Sequence, residues 1–274
     1  MWLATHRMKR FLIFCVALAA ATGLNAFGQQ WARQRLAKSA CRLEWIKLNH
    51  DGRTVDCFVA SPRDKTNATA VLLVHEQFGL TDWAREVADE FAAAGYIAVA
   101  PDLLSGSGPG GGGSSSISDV AGLNKAVASL NPARVSADLN AAVRYAQGLR
   151  AANGKVAVVG FSWGGTEALR LASLNADLKA VFVFYGVAPD DEQGLARIKC
   201  PIYGFYAGMD ESVCLTIPQT EQLMQKAGKT FETVTYTNAS HAFMRSGAQA
   251  EFPGPNRDAH EQAWKRLMEV LKKI

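Results

Sequence analysis

The apolar residues of this chain fall into two patterns, short continuous runs and longer stretches with helical spacing. The runs are rich in valine, alanine, leucine and phenylalanine, which is typical of strands buried on both faces of a sheet. They predict strands at 70–75, 96–100, 155–160, 180–185, 201–206 and 231–237. The helical spacing predicts helices at 82–94, 132–150, 218–227 and 256–273, and one more directly after the strand at 155–160. Strands that alternate with helices predict an α/β fold, with a mostly parallel central sheet and helices on both faces.

Two segments interrupt this alternation. Residues 43–60 are predicted to form an antiparallel hairpin that turns at Asp51-Gly52, a strong turn pair. Residues 105–118, here called the glycine loop, have the composition of a flexible linker, with four consecutive glycines followed by three serines. Because the loop leaves the carboxyl end of a strand, we expect it to form a mobile rim over the ligand site. The alternation resumes after it, so we predict one domain at 43–274 with an N-terminal lead-in at 29–42.

The first 28 residues have the pattern of a secretory signal peptide. Lys9 and Arg10 precede an apolar run at 11–21, and small residues follow around Ala26 and Gly28. The run is shorter than the roughly 20 residues that span a membrane. We therefore expect cleavage, no stable membrane span afterwards and a periplasmic or secreted protein, with an uncleaved anchor as the alternative.

Export would place four cysteines in a compartment that permits disulfides, namely Cys41, Cys57, Cys200 and Cys214. The local pairings are Cys41 with Cys57 and Cys200 with Cys214, but spacing alone does not fix the connectivity. Free thiols are the alternative. The sequence contains no Cys-x-x-Cys and no His-Glu-x-x-His motif, so it indicates no metal site.

The charge balance argues against a nucleic-acid partner. There are 29 Lys+Arg against 25 Asp+Glu, a formal net charge of +4, and no basic run is interleaved with aromatic residues. The glycine loop is not followed by Lys-Ser or Lys-Thr, so it does not predict a phosphate site. We expect a small-molecule ligand and a monomer or small homo-oligomer.

The segment Gly160-Phe161-Ser162-Trp163-Gly164 joins a predicted strand to the helix that follows it. This Gly-x-Ser-x-Gly pattern is typical of a nucleophile elbow, in which a sharp turn exposes the serine at the strand's end. Glycines are needed at the outer positions because a Cβ would clash there. The N–H of Trp163 begins the helix and would meet a developing oxyanion at the positive end of the helix dipole. We predict Ser162 as a nucleophile and the Trp163 N–H as an oxyanion donor.

An acid and a histidine follow in the chain order that such an enzyme needs. Asp210 follows the strand at 201–206, and His241 follows the strand at 231–237. Glu211 could replace Asp210, but the shorter aspartate has less freedom when it positions an imidazole. We predict that His241 accepts the serine proton and that Asp210 holds the His241 tautomer and stabilises the imidazolium.

The other histidines are predicted to be solvated or structural. His6 precedes the apolar run of the signal segment, His50 lies in the hairpin turn, and His260 lies in the C-terminal amphipathic helix. His75 ends a predicted strand beside Glu76, and we predict a structural role in which its ring nitrogens are satisfied.

Three further motifs accompany the elbow. They are His75-Glu76-Gln77-Phe78-Gly79-Leu80, Ala100-Pro101-Asp102-Leu103 and Ser240-His241-Ala242-Phe243-Met244-Arg245. In their order and spacing, from the hairpin near Asp51 to the C-terminal helix, they resemble the dienelactone hydrolase family. The resemblance implies an α/β-hydrolase fold, no cofactor, and hydrolysis of a small ester or lactone through a covalent acyl-enzyme.

The resemblance also implies roles for three further residues. Glu76 would lie near the nucleophile and take part in its activation, and the N–H of Gln77 would be the second oxyanion donor. Arg245 would help to hold a substrate carboxylate, a task that suits a guanidinium fork. Ordinary surface positions for Glu76 and Arg245 are the alternatives.

Two positions depart from the family pattern. Family members commonly carry cysteine where this chain has Ser162, and a serine hydroxyl has too high a pKa to form a resting ion pair with histidine. General-base catalysis by His241 is then essential. The second carboxylate-binding arginine, expected after Leu104, is absent, since Ser105 and Gly106 follow instead. We therefore predict a carboxylic ester hydrolase without assigning an anionic dienelactone as the substrate.

Two functions of other classes stay open. An acyltransferase would use the same three residues, with a sugar or alcohol in place of water as the acceptor. A non-catalytic binding module could retain the fold, although it has no physical need for Ser162, Asp210 and His241 together.

Overall fold

One eight-stranded sheet organises the part of the chain that this computed structural model describes, residues 29–249 and 253–274. The predicted signal peptide lies outside the described residues. The strands are β1 (Arg42–His50), β2 (Arg53–Ser61), β3 (Ala68–Val74), β4 (Ile97–Pro101), β5 (Ala152–Phe161), β6 (Ala180–Phe184), β7 (Ile202–Ala207) and β8 (Phe231–Tyr236). Their order is β1-β2-β4-β3-β5-β6-β7-β8, in which β2 is antiparallel to both neighbours and every other pair is parallel. The predicted α/β fold is confirmed.

The helices follow the predicted alternation, with several short additions. They are α1 (Gln30–Ala37), α2 (Asp82–Ala93), α3 (Val120–Ala128), α4 (Pro132–Gly148), α5 (Trp163–Leu174), α6 (Glu192–Arg197), α7 (Glu211–Cys214), α8 (Ile217–Lys226), α9 (Phe243–Ser246) and α10 (Pro255–Leu271). Helices α1, α3, α6, α7 and α9 had no predicted counterpart. No helix within the described ranges is long and apolar enough to cross a membrane.

The core consists of two layers on opposite faces of the sheet. Trp83 of α2 packs on one face, and Leu139 of α4 and Leu169 of α5 pack on the other. Strand β3 serves both layers, because its alternating side chains place Leu73 in the first and Leu72 in the second. Burial of each such side chain contributes about 1.5–3 kcal/mol to the free energy of unfolding. The two layers hold the central strands, and therefore the loops at their carboxyl ends, in fixed positions.

The predicted hairpin is confirmed at its turn. Asp51 and Gly52 have φ of 47° and 72°, and β1 and β2 pair directly at His50 and Arg53. Two residues with positive φ give the turn whose twist matches that of the strands. His50 ends β1 and does not lie in the turn itself; its Nε2 is 2.8 Å from Oδ1 of the buried Asp138, a structural contact.

The lead-in at 29–42 contains α1, which packs on the core through Trp31 and Leu36 and makes ion pairs with α2. Arg33 contacts Asp82 and Arg35 contacts Glu86, each at 2.9 Å. Of the α1 residues, only Ala32 is buried. The helix was missed because its apolar face is short, with only Trp31, Ala32 and Leu36, whereas a longer apolar stripe is the main sequence signal for a helix that packs on a core.

The glycine loop differs from the predicted mobile rim, because hydrogen bonds hold it. The Asp102 carboxylate accepts bonds from the N–H (2.8 Å) and hydroxyl (2.6 Å) of Ser114 and from the Leu104 N–H (3.0 Å). The Ser114 hydroxyl in turn accepts from the Leu80 N–H at 2.9 Å. The loop is thereby fastened to the segment that follows β3. Composition did not reveal this, because Asp102 lies outside the loop.

Neither of the two local cysteine pairings that the sequence allows forms a disulfide. Cys41, Cys57, Cys200 and Cys214 are free thiols, and Cys57 lies opposite Ile46 in the hairpin register. Burial raises the pKa of the Cys57 thiol to about 12 and that of Cys200 to about 11. These two thiols are therefore protonated and unreactive at neutral pH.

Candidate active site

The elbow serine has a strained backbone conformation. Ser162 lies between β5 and α5 with φ 53° and ψ −118°, and its N–H donates to the Phe184 carbonyl on β6 at 2.9 Å. A Cβ on Gly160 would overlap the Gly164 carbonyl, and one on Gly164 would overlap the backbone at the end of β3. Only glycine at both positions allows a turn this tight, as the sequence predicted.

The structure brings Ser162, His241 and Asp210 into one hydrogen-bonded chain. Ser162 Oγ is 2.9 Å from His241 Nε2, and His241 Nδ1 is 2.5 Å from Asp210 Oδ2. Ser162 follows β5, Asp210 follows β7 and His241 follows β8, so the carboxyl ends of three parallel strands supply the three side chains at one edge of the sheet. Glu211, the alternative acid, is exposed at the first position of α7.

Asp210 is held as a carboxylate. Burial alone would raise its pKa, but the hydrogen bond and charge of His241, together with hydrogen bonds from the Ser212 hydroxyl and the Val213 N–H, lower it. Asp210 Oδ1 thus accepts hydrogen bonds from Ser212 and Val213, while Oδ2 faces the imidazole. This arrangement fixes the proton of His241 on Nδ1 and leaves Nε2 as the acceptor that faces Ser162.

Two backbone N–H groups, one directly after the serine and one in the loop after β3, are available to an acceptor. Trp163 is the first residue of α5, and Gln77 lies in the loop after β3. Within the described residues neither N–H donates to another group of the protein. The Trp163 N–H is the oxyanion donor predicted from the elbow, and the Gln77 N–H is the one that the family resemblance implies.

Glu76 is buried and already has two partners. Its carboxylate accepts from Arg245 Nε at 2.9 Å and from the Tyr185 hydroxyl at 3.3 Å, and the Arg245 guanidinium lies 5.4 Å from the centroid of the Phe78 ring. The Glu76 charge raises the pKa of Arg245. Within the described residues, the carboxylate makes no hydrogen bond with Ser162. Neither Glu76 nor Arg245 has the ordinary surface position considered as an alternative.

Tyr185 is a residue of the site that the sequence analysis missed. It follows β6 with φ 43°, and its ring centroid lies 4.9 Å from that of His241. Burial, and then the neighbouring Glu76 charge, raise the pKa of the Tyr185 hydroxyl well above its ordinary value, so it stays a donor. Little in the sequence indicated that Tyr185 belongs to the site, because the residue continues an apolar strand. Only its position at the carboxyl end of that strand pointed to the site.

His75 and His260 make structural contacts, as predicted. His75 is fully buried, with Nδ1 2.7 Å from the Glu76 carbonyl and Nε2 3.2 Å from the Leu103 nitrogen. His260 Nδ1 is 2.8 Å from the Met244 carbonyl. No group of three or more His, Cys, Asp or Glu side chains within 29–249 and 253–274 is arranged to hold a metal ion.

The chain is similar in sequence to known proteins. The model of the dienelactone hydrolase family matches residues 55–274. A protein of Methylorubrum extorquens, named “Putative carboxymethylenebutenolidase”, is 29% identical over 240 residues, which cover 83% of this chain and 79% of that protein.

Two solved structures are similar in fold. The dienelactone hydrolase-like promiscuous phosphotriesterase P91 from metagenomic libraries has a TM-score of 0.72 at 21% identity, over 85% of this chain and 98% of that one. Dienelactone hydrolase from Anabaena variabilis has a TM-score of 0.62 at 19% identity, over 81% and 95%. The family match extends from β2 to the C-terminal helix and includes every residue of the elbow. The chain belongs to the dienelactone hydrolase family and is a hydrolase that acts on esters or lactones.

Proposed function

We propose that this protein cleaves a small carboxylic ester or lactone through a covalent acyl-enzyme on Ser162. The observation that carries the proposal is the hydrogen-bonded chain from Ser162 Oγ through His241 to Asp210, at 2.9 and 2.5 Å, on a strained elbow. This geometry gives each group a role in acyl transfer.

In the first half-reaction, Ser162 Oγ bonds to the carbonyl carbon and its proton passes to His241 Nε2. The electron pair of the carbonyl bond moves to the oxygen, which becomes an oxyanion. Asp210 stabilises the imidazolium. When the intermediate collapses, the bond to the alcohol oxygen breaks and His241 returns its proton to that oxygen. A lactone substrate would keep the released alcohol on its own acyl chain.

In the second half-reaction, water takes the place of the alcohol. His241 accepts a proton from water as the hydroxide oxygen bonds to the acyl carbon. Collapse of the second intermediate breaks the bond to Ser162, whose oxygen recovers the proton. In the net reaction, one ester and one water give one acid and one alcohol, without a cofactor.

The oxyanion of both intermediates would be bound by the N–H groups of Trp163 and Gln77. Trp163 adds the positive end of the α5 dipole. Such preorganised donors are worth about 10²- to 10³-fold in kcat for each donor. Their availability supports this role, since neither donates within the described part of the protein.

The site favours a neutral substrate. The Arg245 guanidinium, which the family resemblance assigns to a substrate carboxylate, already faces the Glu76 carboxylate at 2.9 Å. A substrate carboxylate would have to compete with this buried partner. With the second arginine of the family clamp also absent after Leu104, we place uncharged esters and lactones ahead of anionic dienelactones.

We further propose that the protein acts after export, in the periplasm or outside the cell. The basic and apolar pattern of residues 1–28 supports this location. The free thiols at Cys57 and Cys200 are compatible with it, because their buried, protonated state resists oxidation.

The test is release of p-nitrophenol from p-nitrophenyl acetate and butyrate by the purified protein. Ser162→Ala should lose at least about a thousandfold in kcat/KM. Ser173→Ala is the matched control, because Ser173 lies on the same helix and its hydroxyl donates only to the Arg170 carbonyl. An inert wild-type protein, or equal rates in wild type and Ser162→Ala, would contradict the proposal.

A further inference from the structure

His75 is a fully buried imidazole for which the proposed reaction has no role. Its two ring nitrogens face backbone groups, the Glu76 carbonyl at 2.7 Å and the Leu103 nitrogen at 3.2 Å. A buried ring that is hydrogen-bonded to two backbone groups orients the peptide units that carry those groups. One of them belongs to the peptide that supplies the Gln77 N–H.

The partners fix which tautomer His75 adopts. The Leu103 N–H can only donate, so Nε2 must be the bare, accepting nitrogen. The Glu76 carbonyl can only accept, so Nδ1 must carry the hydrogen. Burial lowers the pKa of His75, which favours the neutral ring that both contacts require.

The same contact fixes the direction of the Gln77 N–H. The Glu76 carbonyl and the Gln77 N–H belong to one peptide unit, and the described chain contains no cis peptide bond. In a planar trans peptide these two groups point in opposite directions. The carbonyl accepts from His75 and also from the Gly79 N–H at 3.1 Å. The Gln77 N–H is therefore aimed away from the His75 ring.

His75 also contacts the side chain of Trp163, the residue whose N–H is the other oxyanion donor. Its ring stacks on the Trp163 ring, with centroids 5.6 Å apart and an interplanar angle of 26°. Its own carbonyl oxygen lies against Gly164, where a Cβ would overlap it. One residue thus touches both the loop that carries Gln77 and the elbow that carries Trp163.

From these contacts we propose that His75 is a positioning residue that aims the Gln77 N–H at the oxyanion of the bound ester. The inference rests on the proposed acyl-enzyme mechanism. His75 does not touch the reacting atoms; it acts through the Glu76–Gln77 peptide. Its loss should therefore weaken transition-state binding and leave ground-state binding of the ester intact.

Three substitutions separate the contacts of the ring. His75→Asn keeps a donor near the Nδ1 position for the Glu76 carbonyl. His75→Gln places an amide oxygen near Nε2 for the Leu103 N–H and loses the donor to Glu76. His75→Phe keeps the ring against Trp163 and loses both hydrogen bonds.

The measurements are kcat and KM with p-nitrophenyl acetate, and the Ki of an alkyl trifluoromethyl ketone. The ketone carbon bonds to Ser162 Oγ, the proton passes to His241, and the carbonyl oxygen becomes an oxyanion, so Ki reports oxyanion binding. We expect His75→Gln and His75→Phe to lower kcat about 10- to 100-fold at unchanged KM, and to raise Ki by the same factor. His75→Asn should stay within about threefold of wild type in kcat and Ki.

The outcomes separate this inference from the proposed function. If wild type is active, Ser162→Ala is inactive and folded His75→Phe keeps wild-type kcat and Ki, the inference is wrong and the function stands. If wild type and Ser162→Ala are equally inert, the function fails. A folded His75→Asn that loses about tenfold or more in kcat would also overturn the inference.

One measurement needs no substitution. In the wild-type protein labelled with ¹⁵N-histidine, the ring shifts of His75 at neutral pH should show a protonated Nδ1 and a bare Nε2. The opposite tautomer, or a charged ring, would overturn the inference. In the opposite tautomer Nδ1 has no hydrogen for the Glu76 carbonyl, and in both forms a hydrogen on Nε2 would face the Leu103 N–H, a second donor.

Discussion

Gly164 of the elbow lies directly against the carbonyl oxygen of His75, so closely that a Cβ on the glycine would overlap it. The contact joins the first turn of α5 to the end of β3. It sets the distance between the serine and the loop that carries Gln77. The geometry of the candidate site therefore depends on a position that has no side chain.

Gly164→Ala should destabilise the protein and reduce esterase activity. The methyl group would force apart the elbow and the end of β3, at a cost of about 1–3 kcal/mol in unfolding free energy. Urea denaturation and p-nitrophenyl acetate hydrolysis check both effects. Gly148→Ala is the matched control, because no atom lies within 4 Å of its added Cβ. Equal stability of the two variants would contradict this account of the elbow.

Asp210→Asn should lower kcat by about 10⁴-fold with little change in stability, because an amide cannot hold the required His241 tautomer. The change is assayed with p-nitrophenyl acetate. Glu211→Gln, at the exposed neighbouring position, should leave kcat within about twofold. A large loss in Glu211→Gln together with an active Asp210→Asn would reverse the assignment.

The central strands, the elbow and the three residues at 162, 210 and 241 could all be anticipated from sequence. Each follows from local rules: continuous apolar runs, a Gly-x-Ser-x-Gly turn, and polar residues that directly follow strands. The register of parallel strands then places them at one edge. Tyr185 could not be predicted in this way. Its place in the site comes from its contacts with Glu76 and His241, and its own segment looks like an ordinary strand.

The order of the glycine loop and the presence of α1 could not be predicted from sequence. Loop composition suggests mobility, but one buried carboxylate, Asp102, binds Leu104 directly before the loop and Ser114 within it. Helix α1 is attached by Trp31 and Leu36, which pack on the core, and by ion pairs to α2 that are distant in sequence. Pairwise contacts of this kind leave no periodic signal in the segment that they hold.

Ser114→Ala should loosen the glycine loop. It removes the hydroxyl that donates to Asp102 and leaves the Leu80 N–H without its acceptor, at a cost of about 1–3 kcal/mol. Limited proteolysis should then cleave within 105–118 faster than in wild type. Ser115→Ala, at an exposed position next to it, should show the wild-type cleavage rate. Identical rates in all three proteins would show that the Asp102 contacts do not order the loop.

Glu90 should make the stability of the protein depend on pH. Burial, and then the charge of Glu86, raise the pKa of Glu90 to about 8; Asp89 adds to the shift, and Arg35 and Arg257 oppose it. The folded state therefore keeps a proton that the unfolded chain releases near its ordinary pKa of about 4.3. Below a pH of about 4.3, Glu90 makes its full contribution to the free energy of unfolding. As the pH rises from there toward about 8, that contribution is lost and the free energy of unfolding falls.

Glu90→Gln removes this titration. Urea denaturation at several pH values between about 5 and 9 should give a flatter stability profile for the variant, with the gain over wild type largest at the alkaline end. Glu269→Gln makes the same charge change at an exposed position of α10 and should keep the wild-type slope. A Glu90→Gln profile parallel to wild type would contradict the shifted pKa.

The central claim, that Ser162 is the nucleophile, is tested most directly by covalent labelling. A fluorophosphonate reacts with an activated serine to form a stable phosphorus–oxygen bond with release of fluoride. Peptide mass spectrometry should find one adduct, on Ser162, formed in step with the loss of esterase activity and absent from Ser162→Ala and His241→Ala. Inactivation with the label on another residue, or complete labelling of Ser162 with undiminished ester hydrolysis, would contradict it.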